Sequence, residues 1–433
     1  MSARSSSISS ARIREIITGV DEQRLWTDLM ELARIGALPN GGVTRLDFTP
    51  EDLEAKQLVA TWLEAAGAKV RFDTAGNVIA RYPADDGGGP AVVAGSHTDT
   101  VPEGGRFDGA IGVLGALEAL RVIAALPERP RRPLEVVVFA NEEGARFGGG
   151  LFGSRAWAGL WTPADLEARR DAEGRSQAEA MAAQGFDPKR IGEAGRDPKS
   201  VAAYLEMHIE QAGVLESLGL PVGLVTGIAG PRFMQVKLTG EANHAGATPM
   251  GLRKDTLCAA AELILTTERL ARGSQDQQKP RTTVGTVGSL RVHPGAVNVV
   301  PGEVDMTFDI RDIDEAARDE VVEGVKAAIA EVCGRRGLGW QIKETHREHP
   351  VPISEDVLAL LREAATDAGV PIHQMPSGAA HDAMVMAGLA RAGMVFVRGL
   401  EGGVSHSPRE LSSSADIAAG TRILLAALLR LVF

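Results

Sequence analysis

Sulfur and aromatic rings are scarce in this 433-residue chain, and each scarcity closes off a chemistry. Its two cysteines, Cys258 and Cys333, can build neither a disulfide framework nor a thiolate metal knuckle, and they suit a reducing, cytoplasmic setting. Aromatic residues make up 4% of the chain, too few to lay a stacking platform for nucleic acid bases. Basic residues are outnumbered, 46 Lys and Arg against 57 Asp and Glu, for a net charge of −11. So acidic a chain lacks the basic face that nucleic acid or an anionic membrane demands. Nowhere do apolar residues run unbroken for the roughly 18 positions that mark a membrane span. The opening "MSARSSSISSARIREI" has no apolar signal-peptide core, and the closing "AAGTRILLAALLRLVF" carries Arg422 and Arg430, as a packed final helix would.

What is present favours two domains. "DEQRLWTDLMELARIG" has one apolar face, and "TPEDLEAKQLVATWLEAAG" opens a helix with Thr49 as N-cap and Pro50 in the first turn. "KVRFDTAGNVIARYP" predicts a hairpin. "PAVVAGS" and "LEVVVFAN" read as buried strands on either side of the helix "GAIGVLGALEALRVIAAL", the pattern of a parallel βαβ unit. A charged helical excursion from Pro163 to Ile191 precedes another strand, "VAAYLEMHIEQ". From Gly227 to about Glu344 the order becomes βαββαβ, a small sheet with two helices, after which the α/β pattern returns with "MVFVRG". The expected fold is α/β: a mixed, largely parallel catalytic domain (1–226 and 345–433) interrupted by a ferredoxin-like α+β insert (227–344).

Polar groups collect where the buried strands stop. His97 and Asp99 follow one strand, Asp108 sits just before a glycine and a helix, and Glu142 and Glu143 follow "VVVFAN". His208 and Glu210 end another strand, and His406 lies behind "MVFVRG". In an open α/β sheet the carboxyl edge is where ligands bind. Adjacent carboxylates behind a buried strand repel unless a cation or a shared proton compensates them. Such a set suits two divalent ions of the zinc, manganese or cobalt type, bridged by one carboxylate, with Asp108 the natural bridge. Asp99 is placed to accept the proton on the far ring nitrogen of His97. One of Glu142 and Glu143 should bind metal and the other take a proton from water.

The motifs "GSHTDTVPEGGRFDGAIGV", "NEEGARF", "HIEQAGVLE", "GEANHAGATPM", "SGAAHDA" and "GVSHSPRE" together resemble, in order, those of the M20 peptidase superfamily. The nearest likeness is to its hydantoinase/carbamoylase branch, the N-carbamoyl-L-amino acid hydrolase and allantoate amidohydrolase group. That resemblance implies a zinc-peptidase-like catalytic domain with a lid that also forms a homodimer. It implies His97, Asp108, Glu143, His208 and His406 as ligands of two divalent ions per subunit, Glu142 as general base and Asp99 as the orienter of His97. It further implies that His244 stabilises an oxyanion in the partner subunit's site, while Asn298 and Arg311 hold the amide and carboxylate of the substrate. The reaction implied is hydrolysis of an N-carbamoyl-L-amino acid, with allantoate amidohydrolase or β-ureidopropionase as alternatives.

Some residues add their own chemistry to this picture. An Arg fork on the alternating strand "FDIRD" is a fitting clamp for a carboxylate, which favours Arg311. Gln211 could bond a ureido group, and Ser377 and Gly378 could offer hydroxyl or backbone contacts at a helix start. His381 and Asp382 are candidates to support the ligands from behind. The chain departs from the family pattern at Ala212 and Ala380, where glycine is usual; each adds a methyl near the expected pocket. His346, His349 and His373 lie off the motifs, as does His293 in an insert loop.

Overall fold

The computed structural model describes residues 8–83, 89–273 and 282–433; the Ser-rich start of the chain lies outside the described residues. The chain divides into two compact units. One comprises Met1–Thr226, Ile353–Met375 and His381–Phe433, and the other Gly227–Pro352 with Pro376–Ala380.

In the first unit the sheet runs in the order Lys69–Phe72, Val78–Tyr82, Leu134–Phe139, Ala91–His97, Val201–Ile209, Arg391–Val397, Val222–Ile228. Its four central strands, from Leu134–Phe139 to Arg391–Val397, are parallel. The flanking pairings are antiparallel, so the sheet is mixed and the expectation of a largely parallel one is corrected. Chain connection explains the difference. Residues 73–77 form a hairpin turn, which can join only antiparallel neighbours, whereas parallel pairing needs a crossover such as the helix Ala110–Ala124.

The central strands are buried on both faces. The helix Ala110–Ala124, which is buried along nearly its whole length, and the C-terminal helix Ser414–Val432 contribute to the same apolar core. Thr49 caps the helix Pro50–Ala65 by accepting from Asp52 N–H, with Pro50 in the first turn. Met207 is fully buried among small residues; a Cβ on Gly115 would lie 2.4 Å from its methyl carbon. The expected excursion after Pro163 breaks into short pieces, Pro163–Ala168, Gln177–Ala183 and Pro188–Ala194. These cover a separate small core of Phe48, Phe152, Met181 and Ile191. Among the described residues no helix is long and apolar enough to cross a membrane.

The second unit is an antiparallel sheet in the order Gly339–Arg347, Gly230–Thr239, Glu303–Asp312, Val284–His293, with helices Thr256–Arg272 and Glu315–Arg336. Met234, Val236 and Leu238 alternate with polar residues and meet Leu263, Val325 and Ile329 of the helices in one core. The last strand carries the unit beyond 344, with an irregularity between Glu344 and His346.

Candidate dinuclear metal centre

Because the four central strands point the same way, their carboxyl ends share one edge, and each delivers a candidate ligand there. His97 is the last residue of its strand and His208 the penultimate of its own. Glu142 and Glu143 follow Leu134–Phe139, and His406 lies in the loop after Arg391–Val397. Asp108 arrives from the loop before helix Ala110–Ala124, beside Gly109 with φ +63°. A Cβ on Gly109 would lie 2.5 Å from the His97 ring, so only glycine lets the loop pass.

Asp108 joins two groups of ligand atoms. Its Oδ1 lies 3.0 Å from His208 Nε2 and 3.6 Å from His97 Nε2. Its Oδ2 lies 3.3 Å from His406 Nε2, which is itself 3.4 Å from a Glu143 oxygen. Thus His97, Asp108 and His208 form one triad and Asp108, Glu143 and His406 another, the ligand atoms within each lying inside 4.8 Å of one another. The first triad is buried; His406 in the second is 47% exposed at its side chain. Asn141, Gln211 and His406, all at this rim, hold positive φ values of 51°, 58° and 53°. Non-glycine residues adopt that region at a cost of about 1–3 kcal/mol each, and such strain concentrates at functional sites.

The charges are poorly compensated by protein alone. Burial pushes Glu142 well above the usual carboxylate range, and burial with the nearby Asp108 pushes Glu143 up to about 7. Burial would also raise Asp108, but His208, His406 and His97 together hold it well below its usual range. The hydrogen bond that its ring donates to Asp108 takes His406 up to about 9. Most telling is His97 Nε2, a buried atom with no hydrogen-bond partner, facing Asp108 and, at 3.7 Å, a Glu142 oxygen. Bare imidazole nitrogens beside carboxylate oxygens are the donor set of a zinc, manganese or cobalt site, so the residues fit a pair of such ions.

The surroundings refine several expectations. The Nδ1 of His97 meets the backbone oxygen of Asp99 at 3.0 Å, while the nearer Asp99 carboxylate oxygen stands 3.6 Å away. That carboxylate instead accepts the backbone N–H groups of Glu142 and Glu143, each at 3.2 Å. The imidazole thus meets the main chain of Asp99, whose side chain is committed to the glutamate pair. Gln211 donates to Asp108 Oδ2 at 2.9 Å, leaving its own buried Oε1 without a partner. Helix Asp382–Met386 begins beyond Ser377 and Gly378, so these do not lie at its start. The Ser377 hydroxyl bonds within its own turn, and the Gly378 carbonyl accepts from Arg311 at 3.0 Å. The methyls of Ala212 and Ala380 are exposed.

His381 packs edge-on against His208, ring centroids 4.5 Å apart, and burial with the neighbouring imidazole holds it well below its usual range. Asp382 accepts from Ser154 at 2.5 Å. Behind His208, the buried Glu206 accepts from Ser96, Tyr204 and Ala383 N–H; sequence reasoning missed it because it reads as one more strand residue. Ser405 and Glu410, beside His406, were missed as well.

His244, Asn298 and Arg311 belong to the second unit. A short pairing of Asn243–His244 with Val299–Val300 sets the first two side by side, and Ala245 N–H donates to the Asn298 carbonyl at 2.9 Å. His244 Nδ1 accepts from the N–H groups of Gly246 and Ala247, both at 3.1 Å. An accepting Nδ1 leaves the proton on Nε2, so the exposed nitrogen is a donor. Arg311 is forked onto Asp309 at 2.7 and 2.8 Å and lies over the Phe233 ring. His293 is exposed near Glu303 and Asp305, and Glu303 is already paired with Lys237 at 2.8 Å.

Comparison with known proteins matches residues 93–430 to the model of "Peptidase family M20/M25/M40". An N-carbamoyl-L-amino acid amidohydrolase of Geobacillus stearothermophilus is 44% identical over 405 residues, covering 94% of this chain and 97% of that protein. An allantoate amidohydrolase of Bacillus subtilis strain 168 is 38% identical over 408 residues, covering 94% and 97%. Among solved structures, an amidase of the hydantoinase/carbamoylase family from Burkholderia multivorans superposes with a TM-score of 0.86. It has 37% identity and covers 95% of this chain and 98% of that one.

Proposed function

Since the chain belongs to peptidase family M20/M25/M40, in its hydantoinase/carbamoylase branch, we propose that it hydrolyses N-carbamoyl-L-amino acids to the L-amino acid, ammonia and carbon dioxide. The observation that carries this reading is one carboxylate, Asp108, shared by two ligand triads beside the buried Glu142. His97, His208 and Asp108 would hold one divalent ion, and Glu143, His406 and Asp108 the other. When bound, such a pair supplies positive charge that acidifies a water and polarises the carbonyl it attacks.

The protein's own groups do the rest. Glu142, raised by burial and held by its backbone to Asp99, takes the proton from the attacking water and returns it to the leaving nitrogen. His244, fixed as an Nε2–H donor, stabilises the negative charge that develops on the carbonyl oxygen. Arg311 receives the substrate carboxylate, its guanidinium plane set by Asp309 and Phe233, and Asn298 holds the amide. Gln211 keeps one free acceptor for a ureido N–H.

The insert acts as a lid and dimerisation domain, and His244, Asn298 and Arg311 serve the partner subunit's site. Supporting this, Met250, Leu252 and Val297, which flank the two loops bearing His244 and Asn298, are 75%, 75% and 101% exposed. Apolar side chains left so bare favour burial against another surface.

The likeness to the Bacillus allantoate amidohydrolase favours a second reading, in which the pocket admits a second ureido group. Ammonia release from N-carbamoyl-L-amino acids, their D-forms, allantoate and N-carbamoyl-β-alanine, and amino acid release from dipeptides, after reconstitution with manganese, separate the readings. The proposal expects the highest kcat/KM on an N-carbamoyl-L-amino acid; preference for allantoate by tenfold or more would replace it with the second.

A further inference from the structure

Glu410 lies four residues beyond His406, is 4% exposed, and belongs to none of the ligand groups. Its Oε1 accepts two backbone N–H groups from a loop some 300 residues earlier, Phe107 at 2.8 Å and Asp108 at 3.0 Å. Its Oε2 lies 3.2 Å from the Ser405 hydroxyl, which is in turn 2.9 Å from Asp108 Oδ2. The fit is tight enough to dictate another residue, because a Cβ on Gly105 would stand 2.0 Å from the Glu410 carboxyl carbon. Burying a carboxylate is costly unless its oxygens are well bonded, and here one is spent on the Asp108 loop while the other faces Ser405.

We propose that Glu410 is a positioning residue for the dinuclear centre: it straps the His406 loop to the Asp108 loop and so fixes the shared carboxylate for both triads. The inference rests on the reading of Asp108 as a bridge. The two backbone bonds set where Asp108 leaves the main chain, and Ser405 sets the side on which Oδ2 sits. Asp108 Oδ1 faces His97 and His208 while Oδ2 faces His406, so a loose Asp108 harms both halves. This separates Glu410 from His406, whose loss removes a ligand from one triad only.

The test is a titration of chelator-stripped protein with Zn2+ alone, against a chromophoric chelator, in wild type and in Glu410→Met, Glu410→Gln, Gly105→Ala and His406→Ala. Loss of outer bonds to ligands weakens metal binding by about 10–100-fold. Glu410→Met and Gly105→Ala should weaken both ions by that factor, whereas His406→Ala weakens one. Glu410→Gln keeps an oxygen for the two N–H groups and should stay close to wild type. Metal-free melting temperatures of the same set identify any variant that has lost its fold, and Glu410→Gln and Gly105→Ala keep the test open if Glu410→Met has. Unchanged affinity at both sites in Gly105→Ala and Glu410→Met overturns the inference, as does weakening of the His406 ion alone, or a Gln variant as weak as Met. Wild type that takes up fewer than two ions overturns the dinuclear reading itself, and this inference with it.

Discussion

Filling the centre with metal should expel protons, and the structure sets how many. Without a cation, the hydrogen bond that His406 donates to Asp108 puts the imidazole at about 9, and burial puts Glu143 at about 7. At pH 7 the first therefore carries nearly a full proton and the second about half of one, yet a ligand must offer a bare nitrogen or oxygen. These two groups alone release about 1.5 protons at pH 7, falling to about 0.5 at pH 9. His97, also raised well above its usual value, adds to the release at neutral pH. The sign follows from competition: proton and cation seek the same atoms, so apparent affinity rises with pH up to about 9 and flattens above it. Calorimetric titration of chelator-stripped protein with Zn2+, in pairs of buffers that differ in ionisation enthalpy, counts the protons directly. Release of less than one proton at pH 7, or affinity that does not change between pH 6 and 9, refutes the ligand assignment of His406 and Glu143.

Glu142→Gln should retain two ions by metal analysis and lose kcat by about 10²–10⁴-fold, the usual worth of a general base; near-normal turnover would remove Glu142 from that role. Arg311→Ala should raise KM on carboxylate substrates by about 10–100-fold, the worth of a charge-assisted bond, and spare a carboxylate-free amide; equal loss on both would show that Arg311 does not clamp the carboxylate. Lys56 sits between Asp52 at 2.8 Å and Asp47 at 3.7 Å, all with side chains at most 2% exposed. Lys56→Met would leave two buried carboxylates without their cation and should cost about 3–5 kcal/mol by urea unfolding at pH 8. The deficit should shrink toward pH 5, where protonation neutralises them, and a loss under about 1 kcal/mol would mean that the ammonium is not needed there.

The sequence made the site's outline readable for a specific reason. A continuous apolar run such as "VVVFA" marks a strand buried on both faces, and a His or carboxylate just after it marks the edge. His97, Glu143, His208 and His406 each follow that grammar, and Asp108 stands before a helix whose start is marked by glycine. Strand direction was less legible. A crossover helix announces a parallel neighbour, but nothing in "VGLVTGI" says that it will lie antiparallel to Arg391–Val397. Periodicity describes a strand's two faces and says little about which strand it will meet.

A second limit concerns what a carboxylate does once it is buried. Asp99 and Glu410 were both visible as acidic residues inside motifs, and both turn out to serve backbone amides: those of Glu142 and Glu143 in one case, of Phe107 and Asp108 in the other. Backbone N–H groups are the same at every residue except proline, so a bond to one leaves no pattern in the side chains. Ligands announce themselves by residue type, because a metal selects imidazole and carboxylate; the groups that aim those ligands can be of many types, since they need only an acceptor in the right place. Their trace in the sequence is indirect, a glycine wherever the acceptor leaves no room for a Cβ. Gly105 against Glu410 and Gly109 against His97 are two such traces, and both lie within the one stretch "GGRFDG" that also carries Asp108. The glycines of that loop are thus part of the candidate metal centre's construction.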